Sequence, residues 1–176
     1  MKIARLKPAE CTPEEIESFS QLLCRAFGVG SGNRVKRIGR ARCLVFLREG
    51  EELVGISALK VPTNSHRRSV IVKAGVSLSA SALPYELGWV VVDGRYREKR
   101  HSRLLVESAL QAAGDADVFA TSHTDNTPMH RTLQRYGFTA LGTPYFSPRH
   151  KRMLVLFVRA AGQQGLAAVC PCGNGA

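Results

Sequence analysis

The sequence predicts a mixed α/β fold in which helices flank one central sheet, on the basis of three observations. Strand-like and helix-like segments alternate in the order strand, helix, hairpin, strand, helix, strand, helix, strand, strand, with no internal repeat. Residues 89–92, WVVV, are aromatic and β-branched, which favours a strand that is buried on both faces. The chain has 176 residues, 44% of them hydrophobic, which is enough for one sizeable core. We therefore expect one domain over residues 1–159 and a flexible, glycine-rich tail over residues 160–176.

The first helix is predicted by its start signal and by its apolar stripe. A short strand over residues 2–6 precedes it. Thr12 is suited to cap the helix, Pro13 to occupy its first position, and Glu15 to complete a capping box. Apolar residues follow at helical spacing on one face: Ile16, Phe19, Leu23 and Phe27. Gly28 is a suitable stop, so we expect a core helix that ends there.

The middle of the chain contains one hairpin and two segments without a clear period. Residues 43–47 and 53–59 are predicted to form two antiparallel strands joined by a short turn. Residues 28–42 mix glycine with cations, and disorder, a mobile substrate-side loop or a short basic helix would each produce this pattern. Residues 60–83 are long for a connection beside a sheet, and an insertion of this length is more often functional than not.

A turn that is rich in cations follows the central strand. Five cations lie between residues 93 and 103, namely Arg95, Arg97, Lys99, Arg100 and Arg103, against only Asp93 and Glu98. A helix start offers unpaired backbone N–H groups and the positive end of the helix dipole, so added cations make an anion site that suits phosphates. A solvated basic turn before an ordinary helix explains the same pattern.

The last third of the chain predicts strand, helix, strand, strand. Residues 117–122 form a short strand. A helix begins at residues 125–128, DNTP, and ends at Gly137. Residues 138–141 and 153–158 supply two more strands.

The net charge of +11 and a pI near 10 predict an anionic partner. Cations cluster at residues 34–42, 95–103 and 149–152. Nucleic acid, an acidic protein surface and a phosphate-bearing cofactor all fit this charge. No segment reaches the roughly 18 apolar residues of a membrane span, and the first residues contain no signal-peptide hydrophobic region. We therefore expect a soluble, cytoplasmic protein with no membrane partner.

The cysteines do not predict a metal or redox site. The chain has five cysteines, Cys11, Cys24, Cys43, Cys170 and Cys172, without a C-x-x-C pair or a histidine at zinc-binding spacing. Buried or idle thiols in a reducing compartment are the favoured interpretation.

Residues 53–158 resemble the GCN5-related N-acetyltransferase (GNAT) superfamily, most strongly from Glu86 to Phe138. The similarity lies in a strand ending in valines, a basic turn, a helix, a short strand, and then Asn126, Met129 and the pair Gly137-Phe138. The resemblance implies a mixed, mostly antiparallel central sheet with a splayed strand pair, flanked by helices. It also implies transfer of an acetyl or other acyl group from a coenzyme A thioester to an amine, without a metal.

The family's pyrophosphate loop, R/Q-x-x-G-x-G/A, aligns with one hexapeptide of this chain: Arg97, Glu98, Lys99, Arg100, His101 and Ser102. Arg100 replaces the central glycine, and Ser102 fills the last small position. In ordinary helical geometry the Arg100 N–H still donates, and its guanidinium adds a bidentate phosphate contact. If the Arg100 side chain projects into the groove instead, it excludes the cofactor. By the same resemblance, Asn126 lies along the cofactor.

The resemblance also implies how the thioester is held. Gly88 inside the strand suggests a bulge or a close backbone approach, and family members splay two strands apart there. The N–H of Val90 would then polarise the thioester carbonyl, and Val92 would pair with the pantetheine arm. A backbone donor in this oxyanion-hole role requires no particular side chain.

Two side chains are candidates for proton transfer. Glu86 occupies the family's general-base position, and we expect burial to raise its pKa toward working pH. Binding of a cationic acceptor or a solvated strand start are the alternatives for Glu86. The usual acid, a tyrosine four residues before the Gly-Phe pair, is replaced by Leu133. His130, one turn earlier, is the candidate substitute, and water is the alternative proton source.

The acceptor stays open, and so does a non-catalytic function. Basic residues at 34–42 and 66–68 favour an acidic or nucleic-acid-associated acceptor, such as a ribosomal protein or an aminoacyl-tRNA. The alternative is a GNAT-like binding module in which Arg100 closes the phosphate loop and the cations bind RNA or another anionic partner. A homodimer is a further candidate assembly.

Overall fold

A computed structural model describes residues 1–28, 34–96, 100–148 and 151–162. The strands are Lys2–Leu6 (β1), Cys43–Glu49 (β2), Glu52–Lys60 (β3), Tyr85–Val92 (β4), Val118–His123 (β5), Thr139–Ser147 (β6) and Arg152–Arg159 (β7). The helices are Pro13–Phe27 (α1), Arg34–Ile38 (α2), Asn64–Ala74 (α3), His101–Gln111 (α4) and Thr127–Arg135 (α5).

Within the described residues the strands form a single seven-stranded sheet in the order β1-β2-β3-β4-β5-β7-β6. Neighbouring strands are antiparallel except for β4 and β5, which are parallel. The predicted mixed, mostly antiparallel sheet is therefore confirmed.

Helices cover both faces of this sheet. Leu44 and Phe46 of β2 lie in one apolar cluster with α1, whereas Val45 and Leu47 lie in a second cluster with α4. Because alternate residues of a strand point to opposite faces, α1 and α4 lie on opposite sides of the sheet. A third cluster joins α3 to β5, β6 and β7.

The parallel strands β4 and β5 separate soon after they begin. Among the described residues, Tyr85 pairs with Val118 and Glu86 pairs with Phe119. Beyond Glu86 the two strands share no further pair in the part of the chain that the structure describes, so the expected splayed strand pair is present. The opening also corrects one expectation, because Val90 and Val92 are half-buried here and not fully buried on both faces.

Local signals predicted α1 correctly. Thr12 Oγ1 accepts from the Glu15 N–H at 3.2 Å, and the Glu15 carboxylate accepts from the Thr12 N–H at 3.0 Å, which completes the capping box. Phe19 and Leu23 are buried as expected. Phe27 is exposed, so its place in the apolar stripe was wrong.

One helix was not predicted, and another had been one of several alternatives. The insertion after β3 contains α3, and the segment at 28–42 contains the short basic helix α2, which was one of three alternatives for it. Residues 29–33 of that segment lie outside the described residues. The division into a domain over residues 1–159 and a tail stays a prediction, because residues 163–176, with Cys170 and Cys172, also lie outside them. Across the described ranges, none of the helices has the length and apolarity to cross a membrane.

Candidate functional site

A β-bulge interrupts β4 where the strand leaves β5. Gly88 pairs with Ala58 and Val91 pairs with Ile56, so Trp89 and Val90 together face the single residue Ser57. Trp89 has a φ of 54°, in the left-handed region. The bulge expected near Gly88 is confirmed, and it turns the backbone at the start of the splayed section, where Val90 and Val92 also lie.

The side chain of Lys60 lies directly across the backbone of Gly88. A Cβ atom at Gly88 would stand 2.6 Å from Lys60 Cε and 2.7 Å from Lys60 Nζ. The absence of a side chain at Gly88 therefore gives Lys60 the room to reach along β4. Lys60 Nζ lies 5.4 Å from the ring centroid of Trp89 and 2.5 Å from Glu86 Oε1.

Glu86 is a buried carboxylate with two partners. It is 6% exposed, its Oε1 contacts Lys60, and its Oε2 lies 3.1 Å from His66 Nε2. Burial on its own raises the pKa of this carboxyl, but the Lys60 ammonium and the hydrogen bond from His66 outweigh burial and lower the pKa to about 2. The expectation of a raised pKa at Glu86 was therefore wrong. A carboxylate this acidic is a poor proton acceptor near neutral pH.

His66 reaches Glu86 from the first turn of α3. Thr63 caps this helix, and its Oγ1 accepts from the His66 N–H at 3.2 Å. The His66 ring lies 6.2 Å from the ring of Phe119, the residue paired with Glu86 across the parallel strands. The side chain of His66 stays 47% exposed. The insertion at residues 60–83 thus places a half-exposed imidazole against the buried carboxylate.

Cations surround the aromatic ring at the bulge. Arg37 of α2 places its guanidinium carbon 5.5 Å from the centroid of the Trp89 ring, at a distance similar to that of Lys60 Nζ. Phe19 of α1 contacts the same ring edge to face, with centroids 6.1 Å apart. Arg37 of α2 and Lys60 of β3 therefore flank Trp89 of β4 on one side of the bulge, and these three residues are called the cationic wall below.

The structure describes only the second half of the proposed phosphate loop, residues 100–102. Arg97, Glu98 and Lys99 lie outside the described residues. Arg100 caps α4 with φ 58° and ψ 18°, which is a left-handed conformation and not the ordinary helical geometry. Glycine adopts this region without steric cost, which explains why the family pattern has glycine at this position.

The start of α4 has free capacity to bind an anion. His101 is 7% exposed, and neither of its ring nitrogens has a partner among the described residues. Ser102 is half-buried in the first turn. Unpaired donors at a helix N-terminus, together with the cation of Arg100, fit a phosphate group. The residues present therefore fit a cofactor that carries a diphosphate.

Arg100→Gly is expected to be more stable than Arg100→Ala by about 1 kcal/mol, because only the alanine keeps a Cβ atom in the left-handed region. Chemical denaturation of the two variants measures this difference. Both variants remove the guanidinium, so the comparison isolates the backbone. Equal stabilities would contradict the left-handed conformation at this position.

Asn126 and His130 of α5 make local contacts. Asn126 Oδ1 accepts from the Met129 N–H at 3.3 Å and thereby caps the helix. His130 Nε2 lies 2.8 Å from the carbonyl oxygen of His123, so this nitrogen donates, and the ring packs 4.9 Å from that of Phe157. His130 then has only Nδ1 left, which donates a proton only from the doubly protonated ring. Its role as an acid stays a prediction.

Sequence reasoning missed Lys60 and gave His66 no role beyond a basic wall. Gly88 was the sequence signal that could have indicated Lys60. It predicted that some group approaches the backbone closely, but it did not identify that group as the Lys60 side chain. Leu133, in the family's tyrosine position, is 1% exposed and belongs to the core beside α4. Among the described residues, no three His, Cys, Asp or Glu side chains are grouped to hold a metal ion.

The mixed sheet, its splayed parallel pair and the bulge beside the opening define an α/β protein of the N-acetyltransferase class. The sequence model of the Acetyltransferase (GNAT) family matches residues 16–138. The chain belongs to this family, and the predicted resemblance is confirmed.

Solved structures show the same fold at low sequence identity. Escherichia coli ElaA is 15% identical with a TM-score of 0.68, over 90% of this chain and 99% of that one. An acyl-CoA N-acyltransferase from Pseudomonas aeruginosa is 19% identical with a TM-score of 0.69, over 91% and 100%. Arabidopsis thaliana NAA60 in complex with acetyl-CoA is 16% identical with a TM-score of 0.64, over 90% and 99%. Comparison with curated proteins finds no match.

Proposed function

We propose that the protein transfers the acetyl group of acetyl-CoA to an amine on an acceptor of acidic character. The observation that carries this proposal is the bulge at Trp89 and Val90, at the point where β4 leaves β5. An open strand edge beside a bulge offers backbone groups to an extended ligand arm. Membership of the GNAT family supports N-acetyl transfer as the reaction.

Each part of the site has a proposed task. When bound, acetyl-CoA supplies the thioester carbonyl that is attacked. The N–H of Val90 donates to that carbonyl oxygen, and Val92 pairs with the pantetheine arm. The start of α4, with Arg100, His101 and Ser102, holds the diphosphate by charge and by backbone donors. Arg97, Glu98, Lys99 and Asn126 are further candidate contacts to the cofactor.

The acceptor is proposed to carry a negative charge near its amine. Arg37 of the cationic wall stands beside the bulge, and a net charge of +11 attracts anions over a wider range. A cationic acceptor such as a free polyamine would be repelled by the same wall. An acidic peptide terminus or a nucleic-acid-associated amine fits better.

Calorimetric titration with acetyl-CoA tests the donor. The wild-type protein is expected to bind, and an Arg97→Ala/Lys99→Ala variant is expected to bind at least about tenfold more weakly, because two cations of the proposed phosphate loop are lost. A Lys2→Ala/Lys7→Ala variant removes the same charge at exposed positions around β1 and serves as the control. It should bind as the wild type does.

The binding-module alternative predicts the opposite results. If Arg100 closes the loop, acetyl-CoA will not bind, and RNA will bind with an affinity that falls steeply as salt is raised. That pair of results would overturn the proposed function. Acetyl-CoA binding that survives the Arg97→Ala/Lys99→Ala change would overturn the assigned phosphate loop.

A further inference from the structure

The Lys60–Glu86–His66 network lies on the face of the sheet that α1 covers. Lys60 and Glu86 are direct cross-strand partners, so their side chains share a face, and Ala58, two residues before Lys60, packs in the cluster with α1. Gly88, two residues after Glu86, lies on that same face. The network therefore stands next to the bulge, on the side of the sheet where α1 packs and where α2 contributes Arg37 to the cationic wall.

Glu86 is badly placed to take a proton from an acceptor itself. Each of its oxygens contacts a donor, Lys60 on one side and His66 on the other, and 6% of the residue is exposed. The adjacent ammonium stabilises the ionised carboxylate, which lowers its tendency to become protonated. Glu86 is instead well placed to orient the neighbouring His66 ring.

His66 is the exposed member of the network. A carboxylate oxygen only accepts, so the proton of the neutral ring lies on Nε2, which donates to Glu86. Nδ1 then carries the free lone pair, on a side chain that is 47% exposed. A buried carboxylate that fixes the tautomer of an imidazole and leaves its other nitrogen accessible is an arrangement that suits a general base in acyl transfer.

We infer that His66 is the general base of the reaction and that Glu86 is its positioning residue. This inference rests on the proposed N-acyl transfer. The amine nitrogen of the acceptor forms the new C–N bond while the C–S bond of the thioester breaks. One amine proton passes to His66 Nδ1 and from there to solvent. Coenzyme A leaves as the thiolate, which takes a proton from water.

Other charged groups set the environment of the ring. The groups that face the network, or lie beside His66 on its own helix, are Glu86, Lys60, Tyr145, Arg67 and Arg68. Burial, together with the Glu86 charge, raises the pKa of Tyr145 to about 12, so this phenol stays neutral. Arg67 donates to the carbonyl oxygens of Pro62 and Ala80 and is thereby directed along the insertion. The contact that fixes the ring is the one with Glu86.

Kinetics with acetyl-CoA and a peptide that begins with a free aspartate test the role of His66. His66→Gln is expected to lower kcat at least about 100-fold, with an unchanged affinity for acetyl-CoA. His66→Ala is expected to regain about tenfold when imidazole is added, because the half-exposed site admits the missing base. Ser69→Ala, an exposed position on the same helix, is the control and should behave as the wild type does.

Nitrogen NMR of the labelled wild-type protein provides a readout that does not depend on turnover. The His66 ring is expected to be the Nε2–H tautomer, and an Nδ1–H tautomer would overturn the inference. If acetyl-CoA binds and His66→Gln turns over at the wild-type rate, the inference is overturned while the proposed function stands. If acetyl-CoA does not bind the wild-type protein, both are overturned together.

Discussion

Glu86→Gln is expected to lower the free energy of unfolding by about 3 kcal/mol at pH 7. The substitution keeps the shape of the side chain but removes its charge, so the mostly buried Lys60 ammonium loses the carboxylate charge that lies beside it. Removing one member of a buried ion pair is costly because the other charge stays desolvated. Urea denaturation of the wild type and the variant at pH 7 measures the difference.

The same difference is expected to shrink as the pH falls. Glu86 has a folded-state pKa of about 2, below its ordinary value of 4.5, so the carboxylate stabilises the folded protein above about pH 4.5. This stabilisation is lost as the pH falls from there toward 2, where the folded-state carboxyl also becomes protonated.

A Lys60→Met/Glu86→Gln double variant is the control for this interpretation. It removes both charges, so much of the stability lost in Glu86→Gln is expected to return. The remaining cost is the polar glutamine amide beside His66. A single variant as stable as the wild type at pH 7, or a loss that stays constant down to pH 3, would show that the ion pair does not stabilise the fold.

The sequence predicted those elements whose signals are local. The capping box of α1 and the glycine beside the bulge involve contacts within a few residues, and the chemistry of each side chain indicates its conformation directly. Local sequence signals could not predict the partners of Glu86. Lys60 meets Glu86 only through the register of β3 with β4, and His66 arrives on an insertion whose fold was not predicted.

The helix α3 shows why the insertion could not be predicted. Its apolar run Val70, Ile71 and Val72 is β-branched and resembles a strand. In the structure Val70 and Ile71 are buried against the cluster below α3, whereas Val72 is 76% exposed. Tertiary packing of two residues, with the cap at Thr63 and the stop at Gly75, therefore outweighs the local preference for a strand.

Arg100 shows that the sequence does not predict the backbone conformation at a substituted position. The departure from the family's glycine was visible, but a substitution pattern does not give a dihedral angle. The structure shows that the backbone keeps the conformation that glycine prefers, with a φ of 58°, so the turn into α4 is preserved at a steric cost. The helix N-terminus and the unpartnered ring of His101 are thereby retained as a site for an anion.

Gly142→Ala is expected to destabilise the protein by at least about 3 kcal/mol. Gly142 has a φ of 69° and lies where β6 detours from its pairing with β7, between Leu141 and Tyr145. A Cβ atom there would stand 2.0 Å from the carbonyl oxygen of Ala74, at the end of α3, and 2.7 Å from Val76 Cγ1. The alanine would therefore lower the stability in two ways: its backbone would be strained in the left-handed region, and its Cβ atom would force α3 away from the sheet.

Gly114→Ala separates these two costs. Gly114 has a φ of 57°, but a Cβ atom there would meet no atom within 4 Å, so this variant is expected to lose only about 1 kcal/mol. Denaturation of both variants measures the excess that is due to the contact with Ala74. Because α3 carries His66 toward Glu86, the displaced helix in Gly142→Ala should also weaken that hydrogen bond, which NMR of the His66 ring detects. Equal losses in the two variants would mean that β6 moves aside at little cost and that its contact does not hold α3 in place.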